Sequence, residues 1–455
     1  MDSLDLKSIN NVHFIGIGGI SMSGIASYFL TLKKRVSGSD LSSTNITSSL
    51  AKKGAKIFSS HDEKNLEGLN KEDTIIVFTS AISESNPELV FAKKQGFLIF
   101  KRSQILSEIL KGFKKTIMIA GSHGKTTAST MITEIFYRSG KNPTAFLGGE
   151  SVRFSNFLRG GKDIAVVEAC EYKKNLLDFK PDYSVVLNLD MDHHDSYSSE
   201  KDYVNTFKRF IQNGISFINA DDKKCVEIAG LTTVSFGIKN KASYTAKSLK
   251  KGENGYSFTL YSYGRKRGRI NLKVKGKFNV YNALCACAVA DVFRLPFKSI
   301  KEGLENYSGV KRRSEKIGTL YGADVICDYA HHPKEIKETV KALKKENTLV
   351  VFQPHTYSRT KALMKDFVDA LTTTENLIIY KTYPAREEFD EDGSAFSLYH
   401  NLKGKNNGKV VYANSEKELI LKIKGFYNFS NLLILGAGDI YDTAKKIIRL
   451  KTFKK

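Results

Sequence analysis

Twice along the chain a short apolar run ends in clustered glycines and opens directly into a helix-forming stretch. The first is HFIGIGGISMSG at residues 13–24, and the second is TIMIAGSHGKTT at residues 116–127. A buried strand, a glycine turn and a helix start form the repeating unit of parallel α/β sheets. The turn presents backbone N–H groups and a helix N-terminus, which together attract anions. Two such units in one chain predict at least two doubly wound sheets, each with its own anion site.

The rest of the sequence repeats the alternation. Strands are expected at residues 12–17, 74–79, 116–120, 164–167, 184–189, 325–328, 349–352, 377–380 and 432–435, all rich in Ile, Val, Leu and Phe. That composition suits strands covered on both faces. Helical patterns lie between them at 125–138, 202–212, 281–293, 334–344 and 361–371. The expected fold class is α/β with three domains. Residues 1–110 form a Rossmann-like N-terminal domain, 111–313 a P-loop ATPase central domain, and 314–455 a Rossmann-like C-terminal domain. Residues 232–275 read as an antiparallel insertion in the central block.

The second glycine turn carries the more specific chemistry. Its backbone would cradle phosphates, Lys125 would reach the β- and γ-phosphates, and Thr126 would place its hydroxyl on Mg²⁺. The glycine that usually stands five residues before the Gly-Lys pair is replaced by Ile119, so this is the shorter GxxGKT form. Magnesium needs further oxygen ligands. Glu168 ends the next strand, and a run of Asp and His follows at residues 190–195. Glu168 and His193 are the expected metal contacts, with Asp192 and Asp195 orienting the histidine.

The first turn resembles a dinucleotide fingerprint whose third glycine position is Ser21, with Asp40 where a ribose-binding acid belongs. Alone it would favour a dehydrogenase. A hydride-transfer enzyme has no need of ATP, whereas a nucleotide-diphosphate sugar satisfies both turns.

Composition removes other classes. No apolar run approaches the ~20 residues that span a bilayer, and the N-terminus lacks a signal peptide's basic and apolar regions. A cytoplasmic address without membrane association is expected. Five scattered cysteines without a CxxC pair argue against a zinc knuckle or a disulfide framework. The net charge of +23 raises a nucleic-acid reading. Its lysines are spread along the chain, however, and the densest group, YGRKRGR at 263–269, reads as a hairpin tip. No nucleic-acid partner is expected, and the positive field would instead gather polyanionic small substrates.

Ten motifs in order, among them GSHGKTT, EACEYKKNLL, NLDMDHHD, GKFNVYNAL, GVKRR, DYAHHPKEI, FQPHTYSRT and LILGAGDI, resemble the Mur ligase family over essentially the whole chain. The opening GIGGISMSG, DYAHHP and FQPHTYSRT are similar to the branch that joins L-alanine to UDP-N-acetylmuramate. The resemblance implies an ATP- and Mg²⁺-dependent amide-bond-forming ligase of peptidoglycan synthesis, monomeric or homodimeric. The related ligase that attaches a tripeptide stays open as an alternative.

By the same resemblance, Gly16, Gly18, Gly19, Ser23 and Gly24 hold the UDP-substrate pyrophosphate, with Asp40 near the uridine. Gly121, Ser122, His123, Gly124, Lys125, Thr126 and Thr127 hold ATP phosphates, and Asn279 and Asn282 the adenine. Glu168 and His193, with Thr126, contact magnesium. Arg313 and Asp328 approach the nucleotide. His331, His332, His355 and Arg359 line the amino-acid side. Lys125, Arg313, Asp328 and His331 carry the chemistry, with Asp328 or His331 taking the amine proton. The chain departs from its branch at Phe278, where histidine is common. Lys208 is not expected to match the modified lysine of sister ligases.

Overall fold

The computed structural model describes residues 5–191, 196–406, 408–426 and 428–452, and the side chains of these up to 450. Its strands form three sheets, one per domain. The chain divides into two compact units: residues up to Ser308 apart from 253–256 and 274–277, and Gly309 onward together with those two short segments. The first unit holds two of the sheets and the second unit the third.

The N-terminal sheet has five parallel strands, in the order Lys56–Phe58, Arg35–Ser39, Asn11–Ile15, Thr74–Phe78, Leu98–Lys101. Its centre is apolar without alternation, as burial on both faces demands: every residue of Thr74–Phe78 is buried. Strand order reverses between Asn11–Ile15 and Thr74–Phe78. That reversal opens a crevice at their carboxyl ends, and the first glycine turn leaves Ile15 at that place.

The central sheet has ten strands. Lys115–Ala120 lies between Tyr183–Val186 and Ile164–Glu168, parallel to both. Thr144–Ser151 and Ser155–Leu158 extend the sheet beyond Ile164–Glu168. On the other side follow Ile215–Asn219, Thr233–Gly237, Tyr244–Lys251, Tyr256–Ser262 and Arg265–Leu272. The expected insertion at 232–275 is therefore a continuation of this sheet, and its first strand pairs parallel on both sides. Short strands and turns in the sequence suggested an antiparallel insertion in this block. The departure is at its first strand, where the pairing of Phe236 with Tyr244 continues the parallel ladder.

In the second unit the order is Glu315–Leu320, Ala323–Asp328, Asn431–Leu435, Thr348–Phe352, Asn376–Tyr380, Lys409–Ala413. All neighbours are parallel except the first pair. Two apolar clusters cover its faces, one around Ile434, Tyr380 and Ile440, the other around Phe352, Phe367 and Leu398. The helix expected at 361–371 is two helices, Tyr357–Ala362 and Met364–Leu371, broken where Leu363 leaves helical geometry at φ −112°, ψ 21°. Helix Lys125–Arg138 has the bounds its sequence predicted. Among the described residues no helix is long and apolar enough to cross a membrane.

Candidate active site

The phosphate loop leaves Ala120, crosses Gly121 and enters helix Lys125–Arg138 at Gly124. Gly124 has φ +84°, and a Cβ there would lie 2.7 Å from Asn282 Oδ1, so both backbone and neighbour require glycine. The segment after Tyr183–Val186 clamps the loop from outside. Asn188 accepts from His123 N at 2.8 Å and donates to His123 O at 3.0 Å. Ser122 Oγ donates to the Asp190 carbonyl at 2.6 Å. Ser122 and His123 thus shape the loop, and His123 faces the Asp190 carboxylate at 3.4 Å. The N–H groups at the start of an α-helix have no partner within it, so Lys125, Thr126 and Thr127 are where an anion would meet backbone donors.

Lys125 folds back over this loop. Its Nζ donates to Gly121 O at 2.5 Å, Ser122 O at 3.2 Å and Glu171 Oε1 at 3.0 Å. Burial works against its charge, but Glu171, then Glu168, outweigh burial and hold the ammonium above the ordinary lysine value. The ammonium is therefore held in its charged form beside the loop. Glu171 was not among the residues expected from the sequence. Only its place in EACEYKK pointed to it.

Glu168 ends strand Ile164–Glu168 beside the loop, and its Oε2 accepts from Gly148 N at 3.0 Å. A Cβ on Gly148 would lie 2.3 Å from this carboxylate, so the strand leaves a notch that the carboxylate occupies. Buried Thr126 offers a hydroxyl and Glu168 a carboxylate, the hard oxygen donors Mg²⁺ prefers. Among the described residues no group of three His, Cys, Asp or Glu could hold a metal alone. His193, Asp192 and Asp195 lie outside the described residues.

Asn279 and Asn282 lie on helix Phe278–Val292, both buried, with Asn282 Nδ2 donating to Asn279 Oδ1 at 3.1 Å. Asn282 packs against Gly124 and supports the loop from below.

In the N-terminal domain, Gly16, Gly18 and Gly19 lie between strand Asn11–Ile15 and helix Ile20–Thr31. Asp40 Oδ2 accepts from Gly18 N at 2.9 Å, so its carboxylate closes the turn. Ser23 is 2% exposed and its hydroxyl donates to Ile20 O at 2.9 Å. Ser23 and Gly24 face Asn156 on strand Ser155–Leu158 of the central domain. That contact was not foreseen from the sequence.

In the second unit, Asp328 ends strand Ala323–Asp328 and His355 follows strand Thr348–Phe352, and the two strands flank Asn431–Leu435. Asp328 accepts from Ser314 N at 2.7 Å and Ala330 N at 2.9 Å. Burial pushes its carboxyl above the usual aspartate range, with Arg313 and the two N–H donors opposing. His331 Nδ1 lies 3.0 Å from Tyr329 O, so this nitrogen carries the proton and the neutral ring's lone pair falls on Nε2. Glu335 sits 3.4 Å from the same nitrogen and 4.0 Å from Arg313. The His331 ring meets His355 edge to face at 5.8 Å, and His355 stacks on Tyr383 at 5.5 Å. Arg359 Nη1 reaches His355 Nδ1 at 3.3 Å. Thr356, between them, holds φ +66°, ψ 146°, a conformation costing roughly 1–3 kcal/mol and kept where surrounding structure enforces it. His331, His355, Arg359 and Arg313 thus share one neighbourhood with Glu335 and Tyr383, two further residues not expected from the sequence. His332 instead caps helix Pro333–Leu343 and is 6% exposed.

Comparison with known proteins bears on the same regions. Residues 11–114 match the model of the Mur ligase family catalytic domain, 119–290 the Mur ligase middle domain, and 312–438 the Mur ligase glutamate ligase domain. The chain is 39% identical to the UDP-N-acetylmuramate--L-alanine ligase of Clostridium acetobutylicum, over 96% of this chain and 98% of that one. It is 38% identical to the enzyme of the same name from Acetivibrio thermocellus, over 98% and 97%. The crystal structure of UDP-N-acetylmuramate-alanine ligase MurC from Thermotoga maritima superposes with a TM-score of 0.84 at 27% identity, covering 98% of this chain and all of that one. With three family models in order and relatives matched from end to end, the chain belongs to the Mur ligase family.

Proposed function

We propose that this chain joins L-alanine to UDP-N-acetylmuramate at the expense of ATP, forming an amide bond in peptidoglycan precursor synthesis. The observation that carries the reading is Lys125, charged and folded onto a glycine loop beside Glu168 and Glu171, in a chain similar over its whole length to ligases of that name.

A carboxylate does not accept an amine directly, because oxide is a poor leaving group. In the proposed reaction a lactyl carboxylate oxygen attacks the γ-phosphorus of ATP and ADP departs. The amine nitrogen of alanine then attacks the acyl carbon, and inorganic phosphate leaves with the electron pair of the broken C–O bond. Bringing carboxylate and triphosphate together needs fixed positive charge. Lys125 supplies it on release from Glu171, and the first-turn N–H groups of helix Lys125–Arg138 add to it. Thr126 and Glu168 would hold Mg²⁺, which when bound neutralises phosphate charge. The glycine turn at Gly16–Gly19 suits the UDP pyrophosphate, and Asn279 and Asn282 suit the adenine side.

For the amine, His331 is the better proton acceptor of the two candidates. Its neutral tautomer presents Nε2, whereas both Asp328 oxygens already accept backbone N–H groups. Arg313, His355 and Arg359 would bind the carboxylate of the amino acid. A cytoplasmic location fits substrates of this kind, and the enzyme works as a monomer or homodimer in this reading. The test is phosphate release from ATP with UDP-N-acetylmuramate across a panel of amine acceptors. Turnover with alanine well above that with serine, glycine or tripeptide is expected. Turnover only with the tripeptide would replace this reading by the tripeptide ligase.

A further inference from the structure

The run Gly309-Val-Lys-Arg-Arg313 sets two arginines side by side, and the proposed reaction uses only the second. Arg313 lies toward Glu335 at 4.0 Å. Arg312, with its backbone at φ +62°, takes different partners. Its Nη2 donates to Gly438 O at 2.7 Å and Gly436 O at 3.2 Å. Its guanidinium carbon lies 5.0 Å from the Tyr329 ring centre and 5.2 Å from that of Tyr441. Glu315 closes the group, its Oε2 accepting from Arg312 N at 2.7 Å and from Tyr441 OH at 3.0 Å.

These contacts lead to both histidines on the amino-acid side. Tyr329 N donates to Arg312 O at 2.6 Å. Tyr329 O in turn receives the His331 Nδ1 proton, and the two rings meet edge to face at 5.3 Å. On the other side, Gly438 is pressed against Tyr383: a Cβ on Gly438 would lie 2.6 Å from that side chain. Tyr383 is the ring on which His355 stacks. One guanidinium thus holds the ring behind His331 and the loop behind the partner of His355.

Stability alone does not call for a cation here, because an apolar side chain of similar volume often serves a half-buried position as well as an ion does. Arginine adds a planar donor that can meet carbonyls while its face lies against aromatic rings, which lysine does not reproduce. The two carbonyls belong to the loop leaving Asn431–Leu435, at the carboxyl edge where α/β sheets bind their ligands.

We propose that Arg312 is a positioning residue of the amide-forming step: by holding Tyr329 and Gly438 it fixes His331 and His355 around the incoming amine, and it takes no part in phosphoryl transfer. The inference rests on the ligase reading above. The test supplies the full chain with ATP, Mg²⁺ and UDP-N-acetylmuramate, and with either alanine or hydroxylamine as the amine. Alanine must be oriented and deprotonated by the protein, whereas hydroxylamine is already neutral near pH 7 and attacks an acyl phosphate unaided. Arg312→Gln should lower turnover with alanine about 10²-fold and Arg312→Lys about tenfold, while hydroxamate formation stays within about twofold of wild type. KM for ATP and for UDP-N-acetylmuramate should not change. A smaller folded fraction lowers both rates alike, so the ratio of alanine to hydroxylamine turnover reads position and not stability. A ratio equal to wild type in either variant overturns the inference, whatever the absolute rates. A wild type that forms neither amide nor hydroxamate removes the ligase reading itself and the inference with it, a result distinct from an active wild type whose variants keep its ratio.

Discussion

Asn156 Nδ2 donates to Ser23 Oγ at 2.8 Å and to Ile20 O at 2.7 Å, across 133 and 136 positions of sequence. One hairpin therefore touches both anion sites: Asn156 holds the helix behind the first glycine turn, and Gly148 holds Glu168 beside the second. An aromatic group of Tyr28, Phe146 and Phe157 packs the same junction.

Removing the Asn156 donor should let the first turn drift. Asn156→Ala is expected to raise KM for UDP-N-acetylmuramate about tenfold, in line with roughly 1–2 kcal/mol for two lost hydrogen bonds, with KM for ATP unchanged. Asn156→Asp should behave alike, since a carboxylate cannot donate to either oxygen. Steady-state kinetics in both substrates checks this, and equal change in both KM values would count against it.

Lys125→Ala should retain binding of UDP-N-acetylmuramate by calorimetry yet lose phosphate release by about 10³-fold, because transition-state charge on the phosphoryl group loses its fixed cation. Near-normal ADP production would remove the phosphate-site assignment.

Gly148→Ala gives a sharper test of the metal contact than a change at the carboxylate. The added methyl would lie 2.3 Å from the Glu168 carboxylate, the far end of a flexible side chain that can swing aside without disturbing the fold. The variant should unfold at a temperature close to wild type while needing about tenfold more Mg²⁺ for half-maximal turnover, as should Glu168→Gln. An unchanged metal titration in both would exclude Glu168 as a ligand.

His331→Gln should slow amide formation by roughly 10²–10⁴-fold while leaving the acyl phosphate to accumulate. Hydroxylamine trapping during turnover reads this directly, and failure to trap more hydroxamate than wild type would point to another proton acceptor.

Buried Glu88 joins His13 at 3.1 Å, His61 at 2.9 Å and Asn65 at 2.8 Å beneath the N-terminal sheet. Burial opposes its charge, but hydrogen bonds from His13, Ser39 and Asn65 prevail and hold the carboxyl below its ordinary 4.5. A depressed acid contributes stability above its unfolded value and loses it as pH falls through the lower folded value. Urea midpoints should therefore fall as pH drops below 4.5. Glu88→Gln should remove that part of the slope and cost about 1–3 kcal/mol at neutral pH through lost buried hydrogen bonds.

Much of this protein is written locally. A glycine turn at the end of an apolar run, with Lys-Thr-Thr opening the next helix, specifies strand, loop and phosphate-binding character within a dozen neighbouring residues. The start of helix Lys125–Arg138 follows from that alone, and the apolar runs give Thr74–Phe78 and Thr348–Phe352 nearly to the residue. Sheet order and side-chain partnership are set by what packs together after the chain has returned to the same place, so they have no local signature. That is why Glu171 beneath Lys125, Asn156 behind Ser23 and the helix-capping role of His332 emerge only from the tertiary structure. Hydrophobic period and turn chemistry act over a few residues, whereas contacts 46 and 133 positions apart are selected by the packing of whole sheets.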